Sequence, residues 1–199
     1  MSEITQEKWD AIYSNSGSNR DHPKPAKVLF ENRHLLPRRG RSLEVACGRG
    51  GNALLLAGHG FESHAWDISS VVIDQLQKMA EQSTVTVSGE VRDIMAQPPK
   101  AQSFDVIVVS HFLERGLFAC LREALRPGGL LFYQTFTRTC VSSAGPTNEE
   151  YRLADNELLA VCQGMQVLVY REEGRVGDLD EGVRDVAMIV SQIPIEINT

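Results

Sequence analysis

Within eighteen residues the chain reads as strand, glycine turn and helix. Arg41 to Ala46 reads as the first strong strand, Cys47-Gly48-Arg49-Gly50-Gly51 is a turn, and Asn52 to Gly58 reads as a helix ending near His59-Gly60. A strand that passes straight into a helix opens a βαβ unit, and repeated units of that kind commit the chain to a parallel sheet covered on both faces. The pattern continues downstream. Phe61 to Asp67 reads as a strand and Ser69 to Gln82 as a helix with Val72, Leu76 and Met79 at helical spacing. Thr84 to Val91 alternates like a third strand, and Phe104 to Val109 is the nearly continuous apolar run of a central parallel strand. Leu117 to Leu125 is read as a helix, Arg126-Pro127-Gly128-Gly129 as a turn, and Leu130 to Phe136 as a strand. A helix around Asn156 to Cys162 precedes two last strands, about Gln166 to Arg171 and Arg184 to Ile193, which resemble a hairpin. The expected class is a doubly wound, Rossmann-like α/β fold.

With 199 residues and 42% hydrophobic content, the chain suits one globular domain. The expected organisation is a helical lid region over 1–36, a cofactor-binding core over 41–136, and a substrate-side loop with C-terminal strands over 137–199. A net charge of −6 leaves no basic surplus for phosphate backbones, so a nucleic-acid partner is not expected. The cluster Arg38, Arg39 and Arg41 reads as a solvated turn before a strand rather than an anion patch. The N-terminus is too polar for a signal peptide and no apolar run is long enough to span a bilayer, so a cytoplasmic monomer or homodimer away from membranes is expected. Cys47, Cys120, Cys140 and Cys162 are widely spaced without a CxxC pair, which suggests neither disulfides nor a metal site.

Gly48-Arg49-Gly50-Gly51-Asn52-Ala53 fits G-x-G-x-x-A, a turn that lets a cofactor lie against the backbone at the head of a helix. Three carboxylates strengthen that reading, because a ligand with ribose and adenine needs acceptors at the carboxyl edge of neighbouring strands. Glu44 lies just before the turn, placed either to meet a cofactor ammonium or to orient the turn. Asp67 ends the second strand, in reach of ribose hydroxyls or as a cap of the next helix. Asp93 follows the third, in reach of an adenine amine or merely ending the strand.

These segments, with Ser42 to Ala53, Trp66-Asp67-Ile68-Ser69, Arg92-Asp93-Ile94, Phe104-Asp105-Val106-Ile107 and Leu125 to Gly129, resemble the class I S-adenosylmethionine-dependent methyltransferases over about Trp9 to Ile193. The resemblance implies a sheet of about seven strands, mostly parallel with one antiparallel C-terminal strand. It implies S-adenosylmethionine as cofactor, with Tyr13, Glu44, Ala46, Cys47, Gly48, Gly50, Asn52, Asp67, Ile68, Asp93, Ile94 and Ser110 around it. Within that class the chain is similar to the small tellurite-resistance and thiopurine-methyltransferase-like bacterial enzymes, through Trp9-Asp10-x-x-Tyr13, the Cys47 to Ala53 turn, and Asn156-Glu157-Leu158-Leu159. Two positions depart from it: Ala46 replaces the usual first glycine, and Gly51 stands where those relatives often carry arginine. The His-Arg pair of the tellurite-resistance group has no match between Glu173 and Asp185, so tellurite is not expected as substrate.

Methyl transfer from a sulfonium expels a neutral thioether, so it relies chiefly on proximity and alignment. A hydroxyl or amine acceptor also needs a base, and His111, after the fourth strand, is the candidate; lining the pocket is its other reading. Trp9 and Tyr13 sit one helical turn apart, which by resemblance makes a lid and otherwise a packed face. The Ser-, Asn-, Gly- and Pro-rich stretch Asn15 to Pro25 is expected to be mobile. The loop Thr137 to Tyr151 is expected to form the other wall of a pocket for a small-molecule acceptor, with Arg138 and Tyr151 as candidate contacts. An NAD(P)-dependent oxidoreductase would share the glycine turn and the acid after the second strand, but the chain lacks a Tyr-x-x-x-Lys pair. A cofactor-binding protein without turnover is the remaining alternative.

Overall fold

A computed structural model describes residues 3–15 and 22–195. The mobile stretch expected at Asn15 to Pro25 falls largely on residues outside them. Five parallel strands form most of the sheet: β1 (Arg41–Val45), β2 (Glu62–Asp67), β3 (Val87–Val91), β4 (Phe104–Ser110) and β5 (Leu125–Phe136). With β6 (Gln166–Arg171) and β7 (Val186–Gln192) they make seven strands in the order β3-β2-β1-β4-β5-β7-β6. β7 is inserted between β5 and β6 and runs antiparallel to both, so the expected single antiparallel strand is the last in the chain.

Alternation along the strands divides the core into two layers. Leu43 and Val45 of β1, Ile107 and Val109 of β4, and Leu131 and Tyr133 of β5 face α5 (Leu117–Ala124) and α6 (Glu157–Val161), packing with Phe118, Leu121 and Leu158. On the other face Val106, Val108, Leu130 and Phe132 meet Leu56 of α3 (Gly51–Gly58) and Val28 and Leu29 of α2 (Lys27–Glu31). α4 (Ser70–Gln82) extends that layer over β2 and β3 through Ile73, Leu76 and Ala80. Ser69 caps α4, its Oγ accepting from the Val72 N–H. No helix among the described residues is long and apolar enough to cross a membrane.

One expected boundary moves. Arg126 to Gly129 is not a turn between helix and strand, because β5 begins at Leu125, opposite Phe104, and the glycines form an irregularity inside it. Gly128 takes φ +78° and donates to the Ile193 carbonyl, while the Ile193 N–H donates to Gly129. Tertiary pairing with the chain after β7 thus keeps in the sheet a segment whose local sequence reads as a turn.

Candidate active site

Two cavities open side by side at the carboxyl edge of the sheet. The first, about 350 Å³, is lined by Trp9, Tyr13, Ala46, Cys47, Gly48, Trp66, Asp67, Ile68, Arg92, Ile94, Ser110, His111 and Phe112. Nine sequence candidates therefore meet there: Tyr13, Ala46, Cys47, Gly48, Asp67, Ile68, Ile94, Ser110 and His111.

Asp67 is its central carboxylate. It is 6% exposed, and its oxygens accept from the Gly48 N–H at 2.8 Å and the Ser69 N–H at 3.0 Å. These bonds tie the end of β2 to the glycine turn while each oxygen keeps a second lone pair. Burial pushes its pKa up, against those backbone donors. It is not the N-cap of α4, because Ser69 holds that position.

Glu44, Gly50 and Asn52 do not line the cavity; they build the turn that does. Glu44 is 2% exposed and accepts from Asn52 Nδ2 and the Ala53 N–H, both at 2.7 Å, satisfying the first turn of α3. Burial raises its pKa to about 7, opposed by those two donors. The Oδ1 of Asn52 accepts from the Ala26 N–H at 2.8 Å, so one amide joins the turn to the segment before α2. Gly50 has φ +77°, and a Cβ there would lie 2.3 Å from Leu76 Cδ1. Asp93 likewise stays off the cavity wall: its carboxylate accepts from the N–H groups of Met95 and Ala96, while its neighbours Arg92 and Ile94 face the space.

Trp66, Arg92 and Phe112 complete the wall and were not singled out from the sequence as ligands. The Arg92 guanidinium lies 3.9 Å above the Trp66 ring, and Trp66 meets Phe104 edge-on. Stacking of this kind joins side chains from two strands and from the residue just after a third, for which no local spacing is diagnostic. Across the cavity, helix α1 (Glu3–Asn15) brings Trp9 and Tyr13, stacked with centroids 5.9 Å apart. Ser69 Oγ donates to the Asp10 carboxylate, which docks this helix on the start of α4.

The second cavity, about 400 Å³, shares Ser110 and His111 with the first and is otherwise lined by Lys24, Pro25, Ala26, Lys27, Gln134, Val183, Arg184 and Val186. The loop Thr137 to Tyr151 contributes to neither cavity, contrary to the expected substrate wall. Arg152 folds it back instead, donating to the carbonyls of Thr137, Ala144 and Pro146, while Arg138 donates to the Glu149 carbonyl. Tyr151 is 56% exposed.

His111, at the junction, has φ +56°, a strained conformation for a residue with a Cβ. Its N–H bonds to the Gln134 carbonyl at 2.8 Å, and its ring lies 4.8 Å from that of Phe136. Partial burial lowers its pKa from the ordinary value, so at neutral pH the ring is an uncharged acceptor.

Residues 19–173 match the methyltransferase domain family. The chain belongs to that family. By family and fold the methyltransferase is a class I, S-adenosylmethionine-dependent one, which displaces the oxidoreductase reading of the same glycine turn. It is 32% identical over 109 residues to a ubiquinone biosynthesis O-methyltransferase of Methylocella silvestris, covering 52% of this chain and 43% of that protein. The methyltransferase thus spans less than half the length of that relative. Its fold is similar to TehB from Haemophilus influenzae, with TM-score 0.70, 20% identity, and coverage of 89% of this chain and 65% of that one. A structure described as converting a disulfide bond into a thioacetal group during echinomycin biosynthesis also matches at TM-score 0.70 and 20% identity, over 98% and 94% of the two chains. Among the described residues of the methyltransferase, no three His, Cys, Asp or Glu side chains are grouped to hold a metal.

Proposed function

We propose that the protein transfers the methyl group of S-adenosylmethionine to a small-molecule acceptor, with the cofactor in the first cavity and the acceptor in the second. The observation that carries this reading is the meeting of the two cavities at Ser110 and His111.

The first cavity fits the cofactor on its own chemistry. A Cβ at Gly48 would project into the gap below the Tyr13 hydroxyl, 3.2 Å from its oxygen, so the bare turn leaves room for a ligand. The remaining Asp67 lone pairs suit a ribose diol. Trp66 Nε1 is buried without a partner among the described residues and supplies a donor in the same wall, while Ile94 and Phe112 offer apolar surface for adenine. Bound there, S-adenosylmethionine supplies an electrophilic methyl carbon that an acceptor lone pair attacks in line, the C–S electron pair staying on sulfur as a thioether. Ser110 and the strained His111 hold the passage between cavities. The neutral imidazole takes the proton from an acceptor hydroxyl or amine, and an acceptor already ionised does not need it. Helix α1 covers the cofactor as a lid through Trp9 and Tyr13.

Calorimetric titration with S-adenosylmethionine, S-adenosylhomocysteine and NAD(H) tests the cofactor assignment, and formation of S-adenosylhomocysteine in an acceptor screen tests turnover. Saturable binding of the sulfur cofactors with turnover supports the reading; binding of NAD(H) alone overturns it. Cofactor binding without turnover across a broad screen would favour a non-catalytic cofactor-binding protein.

A further inference from the structure

We propose that the second cavity selects an anionic acceptor, a small molecule whose carboxylate or phosphate lies between Lys24, Lys27 and Arg184. This deepens the methyl-transfer reading and rests on it.

The chain as a whole carries a net charge of −6, yet every charged residue lining this cavity other than the neutral His111 is a cation. Among the described residues neither Lys24 nor Lys27 forms an ion pair. Arg184 is held at the rim by the carbonyls of Gly174, Asp178 and Glu181, which fix its position without cancelling its charge. Its nearest carboxylate, Glu173, lies 4.0 Å away and also pairs with Arg171 and accepts from the Val183 N–H. Two lysines without ion pairs, set around a concave site beside a third cation whose one carboxylate partner is shared, attract an anion more strongly than the same charges on a flat surface.

The site is also built rather than incidental. Gln134 is 5% exposed; its Oε1 accepts from the Val28 N–H at 3.0 Å, leaving its amide NH2 with no acceptor among the described residues, in the cavity wall. The lysine-bearing segment lies flat on the glycine turn. A Cβ at Gly51 would fall 2.5 Å from the Lys24 carbonyl oxygen and 3.0 Å from that of Pro23. With the Ala26 N–H bonded to Asn52, the two lysines are set by the turn that shapes the cofactor cavity. Gly51 is therefore required by the seating of Lys24.

The test uses the full chain saturated with S-adenosylhomocysteine. Calorimetry compares three hydroxybenzoate isomers with the matching hydroxybenzamides, and phenyl phosphate with phenol, in the wild type and in Lys24→Ala/Lys27→Ala. Both lysines are exposed, so the variant should fold. The expected result is at least tenfold tighter binding of anions than of their neutral counterparts, a loss of tenfold or more in the variant, and unchanged binding of S-adenosylhomocysteine. The benzoate and phosphate arms separate the two headgroups. Equal binding of charged and neutral probes, no binding of any anion at 10 mM, or an unaffected variant would overturn the proposal while cofactor binding stands. Failure to bind S-adenosylhomocysteine would overturn the underlying methyl-transfer reading instead.

Discussion

The two cavities share Ser110 and His111, but their walls come from very different spans of chain. The first is assembled mainly by successive strand ends: Ala46 to Gly48 after β1, Trp66 to Ile68 at the end of β2, Arg92 and Ile94 after β3, and Ser110 to Phe112 after β4. Each is a short step from a strand whose position in a parallel sheet is set by topology, so the site follows from the fold almost automatically. The second joins residues 24–27 to Gln134 and to 183–186. No βαβ rule brings those segments together; α2 packing beneath β5 does, with β7 added alongside. One cavity is what the family fold provides, and the other is what this chain makes of it.

Changes to the first cavity should act through shared structure. Asp67→Ala removes the carboxylate that meets both the turn and the proposed ribose, so cofactor affinity should fall about 100-fold, near 3 kcal/mol, by calorimetric titration. An unchanged dissociation constant would break the assignment. Gly50→Ala places a methyl against Leu76 in a left-handed backbone and should cost about 2 to 4 kcal/mol in urea unfolding, whereas Lys24→Ala/Lys27→Ala should cost under about 0.5 kcal/mol. Similar losses in both would erase the contrast between a structural turn and a solvent-facing wall.

The pH dependence sharpens the comparison further. With Glu44 raised from its ordinary 4.5 to about 7 in the fold, the folded state holds its proton more tightly than the unfolded chain. Its stabilising contribution is full below about pH 4.5 and is lost as pH rises through about 7. Thermal melts of the cofactor-free protein should show that decline. In Glu44→Gln it should flatten, at an expense of about 1 to 3 kcal/mol, since one of the donors from Asn52 and Ala53 loses its acceptor.

A small effect of opposite sign should come from Ala46→Gly. Ala46 holds φ +49°, and relief of that strain, offset by the greater freedom of glycine when unfolded, should stabilise the fold by up to about 1 kcal/mol. A destabilised variant would show that the Ala46 methyl packs more usefully in the cavity wall than its backbone strain costs.

By itself the sequence determined the class of fold, the strand-turn-helix at Arg41 to Gly58, and the placing of Gly48, Asp67 and His111 around the first cavity, to which the family resemblance added six more of its residues. Hydrophobic periodicity, glycines and strand-end acids are local signals, and a parallel sheet converts them directly into position. Tertiary structure alone decided how those signals divide between shaping and lining. Glu44, Gly50 and Asn52 turn inward to hold the turn, and Asp93 bonds its own loop, because each finds nearby backbone or side-chain partners that no spacing rule reveals. It also left Thr137 to Tyr151, which Arg152 folds upon itself, off both cavity walls and brought Lys24, Lys27, Gln134 and Arg184 together around the second. Contacts between residues more than a hundred positions apart are fixed by packing of whole elements, and an amino-acid pattern read along the chain carries no such distance.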